Sequence, residues 1–364
     1  MDLWGIISID EPLNQKFLSL KDNVKNLVEK IPEDIKEYLI KIHNYTKFKI
    51  LVGLPTSLVH IYLAVYPASG YYNPTTNQLF VYYNKGMETY FLRTIVHESM
   101  HCYYYRIKPP HKRISIDRIT PHLLKKLETI KLEEIVFDHI INETLANLAA
   151  IKLVKDDDFI KHVRDIIDLF SKYKVTECNY LIFQIFLPRA LGYIIAMNYD
   201  YEPLELARIL SQKPDELYQL LASISNEKHK RVAFSLLYPC IEEKQKLNQL
   251  FQLSPEQFQN ISIGQASKLI KEEKINGDHT RVYLSIVALA AISLEKGKDY
   301  VKRKFDWLFK EFEKLADLKE TIDAILYYPE YTLNAYDEIV PGTKDLLAKI
   351  PDKEKFIEDT FRGE

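Results

Sequence analysis

His97-Glu98-Ser99-Met100-His101 places two imidazoles four residues apart, with a carboxylate directly after the first. On an α-helix that spacing stacks the two histidines one turn apart on one face. Both can then reach a single tetrahedral metal ion. Glu98, one step round the helix, falls beside the ion rather than on it, where it can take a proton from a metal-held water. The chemistry predicted is hydrolysis by zinc-activated water. His97 and His101 are the expected ligands, Glu98 the general base, and one Zn2+ ion the cofactor. Apolar Leu92, Ile95 and Val96 just upstream set this helix in the interior, whereas two ordinary surface histidines would have a polar surround.

Catalytic zinc usually takes three protein ligands and keeps one open position. The extended pattern H-E-x-x-H-x-x-G-x-x-H would need glycine at position 104 and histidine at 107. Tyr104 and Ile107 stand there, so the third ligand must come from another segment. Glu133, Glu134, Asp138, His139 and Glu143 follow in the next helical stretch. Glu143 is the favoured candidate. Its helical neighbours Val136, His139, Ile140, Ala146, Asn147 and Ala150 form a largely small and apolar face. A carboxylate buried there requires a cation or strong donors. Glu133 and Glu134 sit near a helix start, where the dipole already favours acids. His139 reads as a hydrogen-bonded core histidine, with a supporting group or an alternative ligand as rival readings. Asp138 could orient one of the zinc histidines. The tyrosines, His229 and His279 leave the donor to a developing oxyanion unassigned. Cys102 points away from His101 and reads as a small core residue.

The elements that must position these residues follow from periodicity. Residues 18–44 carry helical spacing, with Pro32-Glu33-Asp34 as a helix start. Phe48 to Leu54 and Ile61 to Tyr66 read as short strands, and Gly70 to Tyr83 as a hairpin around Asn73-Pro74-Thr75-Thr76-Asn77. The motif helix is predicted from about Met87 to Arg106. Residues 111–125 are basic and irregular. A long helix is predicted from about Lys126 to Lys155, stopped at Asp156-Asp157-Asp158. Helices follow to the end. The expected class is α+β: a small antiparallel or mixed sheet with the motif helix, then a mainly helical carboxy-terminal part. The expected organisation is an amino-terminal helical segment over 1–46, a catalytic core over 47–156 and an all-helical domain over 157–364.

The 364 residues are 47% hydrophobic and 27% charged, with a formal net charge of -2 and no long basic run. That balance suits a globular protein and excludes the electrostatic footprint of nucleic-acid binding. The first residues lack a basic stretch followed by an apolar one, so no signal peptide is expected. Tyr180 to Tyr199 is apolar but interrupted by Gln184, Pro188, Arg189 and Asn198, and Val282 to Leu294 is short for a bilayer. Both read as buried helices, with no membrane partner. Cys102, Cys178 and Cys240 form no metal or redox spacing and no disulfide framework, which fits a reducing cytoplasm.

With HESMH on an apolar helix and Asn142-Glu143-Thr144-Leu145-Ala146 on a later one, the chain resembles the gluzincin branch of zinc metallopeptidases. The resemblance covers roughly residues 48–155, and the 42-residue interval from His101 to Glu143 is longer than in thermolysin-like enzymes. It implies a zincin-like fold around the motif helix, Glu143 as third ligand, and a peptide or protein as substrate. It also implies a strand bordering the cleft, here Gln78 to Tyr83, pairing with an extended substrate. Tyr71, Tyr72, Tyr82 and Tyr83 would then line pockets or simply pack against the helices. A non-catalytic zinc-binding interaction protein and a zinc hydrolase of a non-peptide substrate are the alternatives.

Overall fold

A computed structural model describes residues 2–65, 68–108, 132–178, 181–270, 277–315, 318–340 and 342–363. The chain is mainly helical around one small mixed sheet, ordered β1-β2-β4-β3. Strand β1 is Ile7–Asp10, β2 Lys49–Gly53, β3 Gly70–Asn73 and β4 Gln78–Tyr82. β1 runs parallel to β2 and β2 parallel to β4, while β3 closes the hairpin antiparallel to β4. β1 was not anticipated, since four residues are too few for a strand period to stand out.

Alternation along β4 divides the interior. Leu79 and Val81 belong to one core with Ile50, Val52 and Tyr72, whereas Phe80 and Tyr82 belong to a second. A strand covered on both faces reads as a continuous apolar run, as Leu79-Phe80-Val81-Tyr82 does. The first core is capped by α1 (Leu20–Glu29), α2 (Glu33–Thr46) and α4 (Glu88–Ile107). The second is covered by α3 (Leu58–Val65) and the helix Gly277–Lys296. Pro32 precedes α2, and Glu33 and Asp34 fill its first turn, where the helix dipole favours acids.

α3 corrects the expected strand at Ile61 to Tyr66. Ser57 Oγ accepts the His60 amide and Asp10 Oδ2 accepts that of Val59, so the first turn is capped by side chains. Every residue from Val59 to Val65 is buried. A short apolar run buried all round has no period by which to tell strand from helix.

α5 (Leu132–Leu153) packs across α4 and against α7 (Leu187–Asn198). The expected start of α5 near Lys126 and the basic stretch 111–125 lie outside the described residues. Gly192 of α7 lets the two backbones close up, because a Cβ there would sit 2.9 Å from both Asn147 Cβ and the Leu148 amide nitrogen. Asp156 stops α5 by capping α6 (Asp157–Phe170) through the Phe159 amide, and it also accepts from Arg93 Nη1 at 3.0 Å.

Leu181–Phe186 forms a π-helical turn running directly into α7. By length and composition Leu181–Asn198 could cross a bilayer; here just over half of it is buried inside the fold. The helix Gly277–Lys296 contains the other apolar stretch, buried through Ser293.

The cysteines depart from expectation. Cys178 and Cys240 are bonded, 62 residues apart in sequence, and Cys102 is free and buried. The helix Glu227–Leu237 packs on α6 and α7. The turn Tyr238–Cys240 at its end thereby meets the segment that leads into the π turn. Sequence spacing carries no trace of that meeting.

Candidate metal centre

α4 presents His97 and His101 on one face, as their spacing predicts, and α5 crosses it with Glu143 opposite them. The two Nε2 atoms lie 3.1 Å apart. His97 Nε2 is 3.4 Å from Glu143 Oε2, and His101 Nε2 is 3.5 Å from Glu143 Oε1. Ligand atoms about 2.0–2.1 Å from one tetrahedral ion lie about 3.3 Å from one another. The contacts are near that spacing, the carboxylate meeting the two histidines through different oxygens, and one ligand atom from each of the three residues lies within 4.8 Å of the others. Among the described residues no other group of three His, Cys, Asp or Glu side chains converges in this way.

The donor set suits a cation. His101 Nδ1 lies 3.0 Å from Asn142 Oδ1, an oxygen that can only accept. A proton therefore sits on Nδ1, and Nε2 is the ring nitrogen that faces Glu143 and His97. Burial alone would raise the Glu143 carboxyl, but His101, His97 and His139 outweigh it and hold the group well below the usual carboxylate range. The site is not sealed. The His97 side chain keeps 22% of its surface, against 13% for His101 and 10% for Glu143, so solvent has access from the His97 side.

Glu98 is buried beside the triad. It lies against Gly70, the first residue of β3, where a Cβ would come within 2.7 Å of Glu98 Cγ and 2.5 Å of Thr94 Cγ2. Only glycine lets the strand approach the helix this closely, and nothing in the sequence marked Gly70 for that role.

The other expected residues sort differently. Asp138 instead accepts from Tyr104 Oη at 2.9 Å and from Lys108 Nζ at 2.5 Å. His139 lies 3.9 Å from Glu143 Oε1 and hydrogen-bonds instead to Gln184 Oε1. Glu134 is exposed, and the Glu133 side chain lies outside the described residues. His229 pairs with Asn198 and packs on Tyr193. His279 meets His60 on the far face of the sheet. Cys102 is a core residue, its thiol pushed up to about 11 by burial.

The strand expected beside the substrate also needs correction. β4 is interior, bonded to β2 on one side and β3 on the other, so its backbone is already engaged. β3 is the strand at that edge of the sheet. Of the four tyrosines, Tyr72, Tyr82 and Tyr83 are buried and Tyr71 packs against the second core.

Gln184, seen in the sequence only as an interruption of an apolar run, reaches in from the π turn. Its Nε2 donates to Glu143 Oε1 at 3.1 Å.

No protein-family model, curated protein or solved structure matches the chain.

Proposed function

We propose that the protein is a zinc-dependent peptidase of gluzincin type, with His97, His101 and Glu143 as ligands and Glu98 as general base. The observation that carries this reading is Glu98. A metal site built only for structure has no need of a carboxylate buried beside three ligands and pressed against an edge strand. The two nitrogen donors and one carboxylate favour zinc, whose preferred ligands these are.

Bound zinc would supply Lewis acidity and lower the pKa of water at the site to about 7. Glu98 takes the proton from the attacking water at its carboxylate and passes it to the departing amine. Asn142 holds His101 in the tautomer that offers Nε2. An extended peptide would run along β3, whose Gly70 brings the strand backbone against Glu98.

The test is Glu98→Gln assayed with a fluorogenic peptide library, with and without a chelator, alongside elemental analysis. We expect one zinc per chain in both proteins, chelator-sensitive hydrolysis by the wild type, and a loss of at least about a thousandfold in the variant. Zinc binding without peptide hydrolysis by the wild type would favour the interaction protein or a hydrolase of another substrate class. Unchanged turnover in Glu98→Gln would remove the general-base assignment.

A further inference from the structure

We infer that Gln184 is a positioning residue for the metal centre, the middle member of a relay His139–Gln184–Glu143 delivered by the π turn. The inference rests on the metal-site reading above and adds what holds its third ligand in place.

Donor and acceptor chemistry fixes the direction of the relay. Gln184 Nε2 can only donate, and it meets Glu143 Oε1 at 3.1 Å. Gln184 Oε1 can only accept, so His139 Nε2 carries a proton and donates to it. Each hydrogen bond points toward the carboxylate, and each polarises the next. The relay's effect on Glu143 is to fix the carboxylate's orientation: Oε1 takes the amide donor while lying 3.5 Å from His101 Nε2, and Oε2 faces His97 Nε2 at 3.4 Å.

The backbone explains how Gln184 comes to be there. In an α-helix its carbonyl would accept the amide hydrogen of residue 188, and Pro188 has none. A π turn, whose amides reach five residues back, is the local solution, and Leu181–Phe186 adopts it immediately before α7. The widened turn also sets Phe183 against the His139 ring, with centroids 4.6 Å apart. Both relay partners are thus held by one short segment. π turns recur at functional sites because their irregular spacing persists where it places a side chain.

The experiment measures zinc affinity of the full chain by competition with a chromophoric chelator, for the wild type, Gln184→Leu, His139→Leu and the double variant. Thermal unfolding of each metal-free protein is recorded in parallel. We expect Gln184→Leu to weaken zinc binding about tenfold to a hundredfold, the usual effect of losing a group behind a metal ligand. His139→Leu should weaken it less. The double variant should be no weaker than Gln184→Leu alone, because the two act through one hydrogen-bonded chain. If Gln184→Leu does not fold, Gln184→Met replaces it, keeping length while losing both hydrogen bonds. Wild-type affinity in the Gln184 variant, with or without a lowered melting temperature, would overturn the positioning role and leave the metal site standing. Additive losses in the double variant would overturn the relay. A wild type that binds no zinc would overturn both this inference and the function it rests on.

Discussion

Among the described residues two pairs of histidines meet, on opposite faces of the same four-stranded sheet. His97 and His101 face each other at 3.1 Å over the first core, and His60 and His279 do so at the same distance in the second. Proximity alone therefore separates nothing. The difference lies in where the protons must be. The Thr56 amide donates to His60 Nδ1, so the His60 proton sits on Nε2 and is given to His279 Nδ1. Both rings stack with Tyr82, and no carboxylate completes the cluster among the described residues. That pair is hydrogen-bonded to itself and to the Thr56 backbone, and burial favours its neutral form. At His101 the proton is drawn outward to Asn142, the inner nitrogen is exposed to its neighbours, and a buried carboxylate stands opposite. One pair faces no such carboxylate among the described residues, and the other faces Glu143.

Removing the carboxylate should abolish this difference. Glu143→Ala is expected to weaken zinc binding by more than about a hundredfold, beyond the loss from any supporting group. His60→Ala combined with His279→Ala should leave zinc affinity unchanged. Chelator competition on the two proteins makes the comparison directly, and near-normal affinity in Glu143→Ala would move the third ligand elsewhere.

Protons should discriminate the pairs in the opposite sense. Burial drives the folded-state pKa of His279 from its ordinary 6.5 down to about 4. The unfolded chain therefore binds the proton more tightly. The stability due to keeping His279 neutral is complete above about pH 6.5 and is lost as pH falls toward 4, about 3 kcal/mol in all. Urea unfolding of the metal-free protein across that range should show the loss, and His279→Gln should flatten it. Comparing the two curves isolates the His60–His279 pair from Glu143, whose depressed carboxyl also loses stability on acidification.

A smaller effect is expected at Gly70. Gly70→Ala forces β3 and Glu98 apart, so turnover should fall about tenfold to a hundredfold through misplacement of the base. Zinc affinity should hold, because the metal triad is not touched. A parallel loss of metal would mean that the strand supports the ligands as well as the base.

The residues brought together by local rules were legible in the sequence. His97, Glu98 and His101 share one helix, and Glu143 betrayed itself as an acid on a small apolar face. The hairpin showed through its Asn-Pro-Thr-Thr-Asn turn, and α2 through its Pro-Glu-Asp start. What stayed hidden depends on distant partners. α3 has no polar face to reveal its period, and β1 is recognisable only beside β2. Gln184 is 41 residues from Glu143, so its role exists only once α7 has packed on α5. Asp138 was a reasonable candidate to orient a histidine until Tyr104 and Lys108, from the end of α4, closed on it.

The Cys178–Cys240 bond fixes Cys178, six residues before Gln184 of the π turn. Closing a loop of 62 residues in the unfolded chain contributes about 4 kcal/mol in the chain-entropy account. Cys178 is exposed, so a reductant in solution has access to the bond. On the proposed relay, the hold of Gln184 on Glu143 should then differ between oxidised and reduced samples. Protein kept in a phosphine reductant and protein kept without one should be treated as two materials, and a metal affinity measured on either belongs to that material alone.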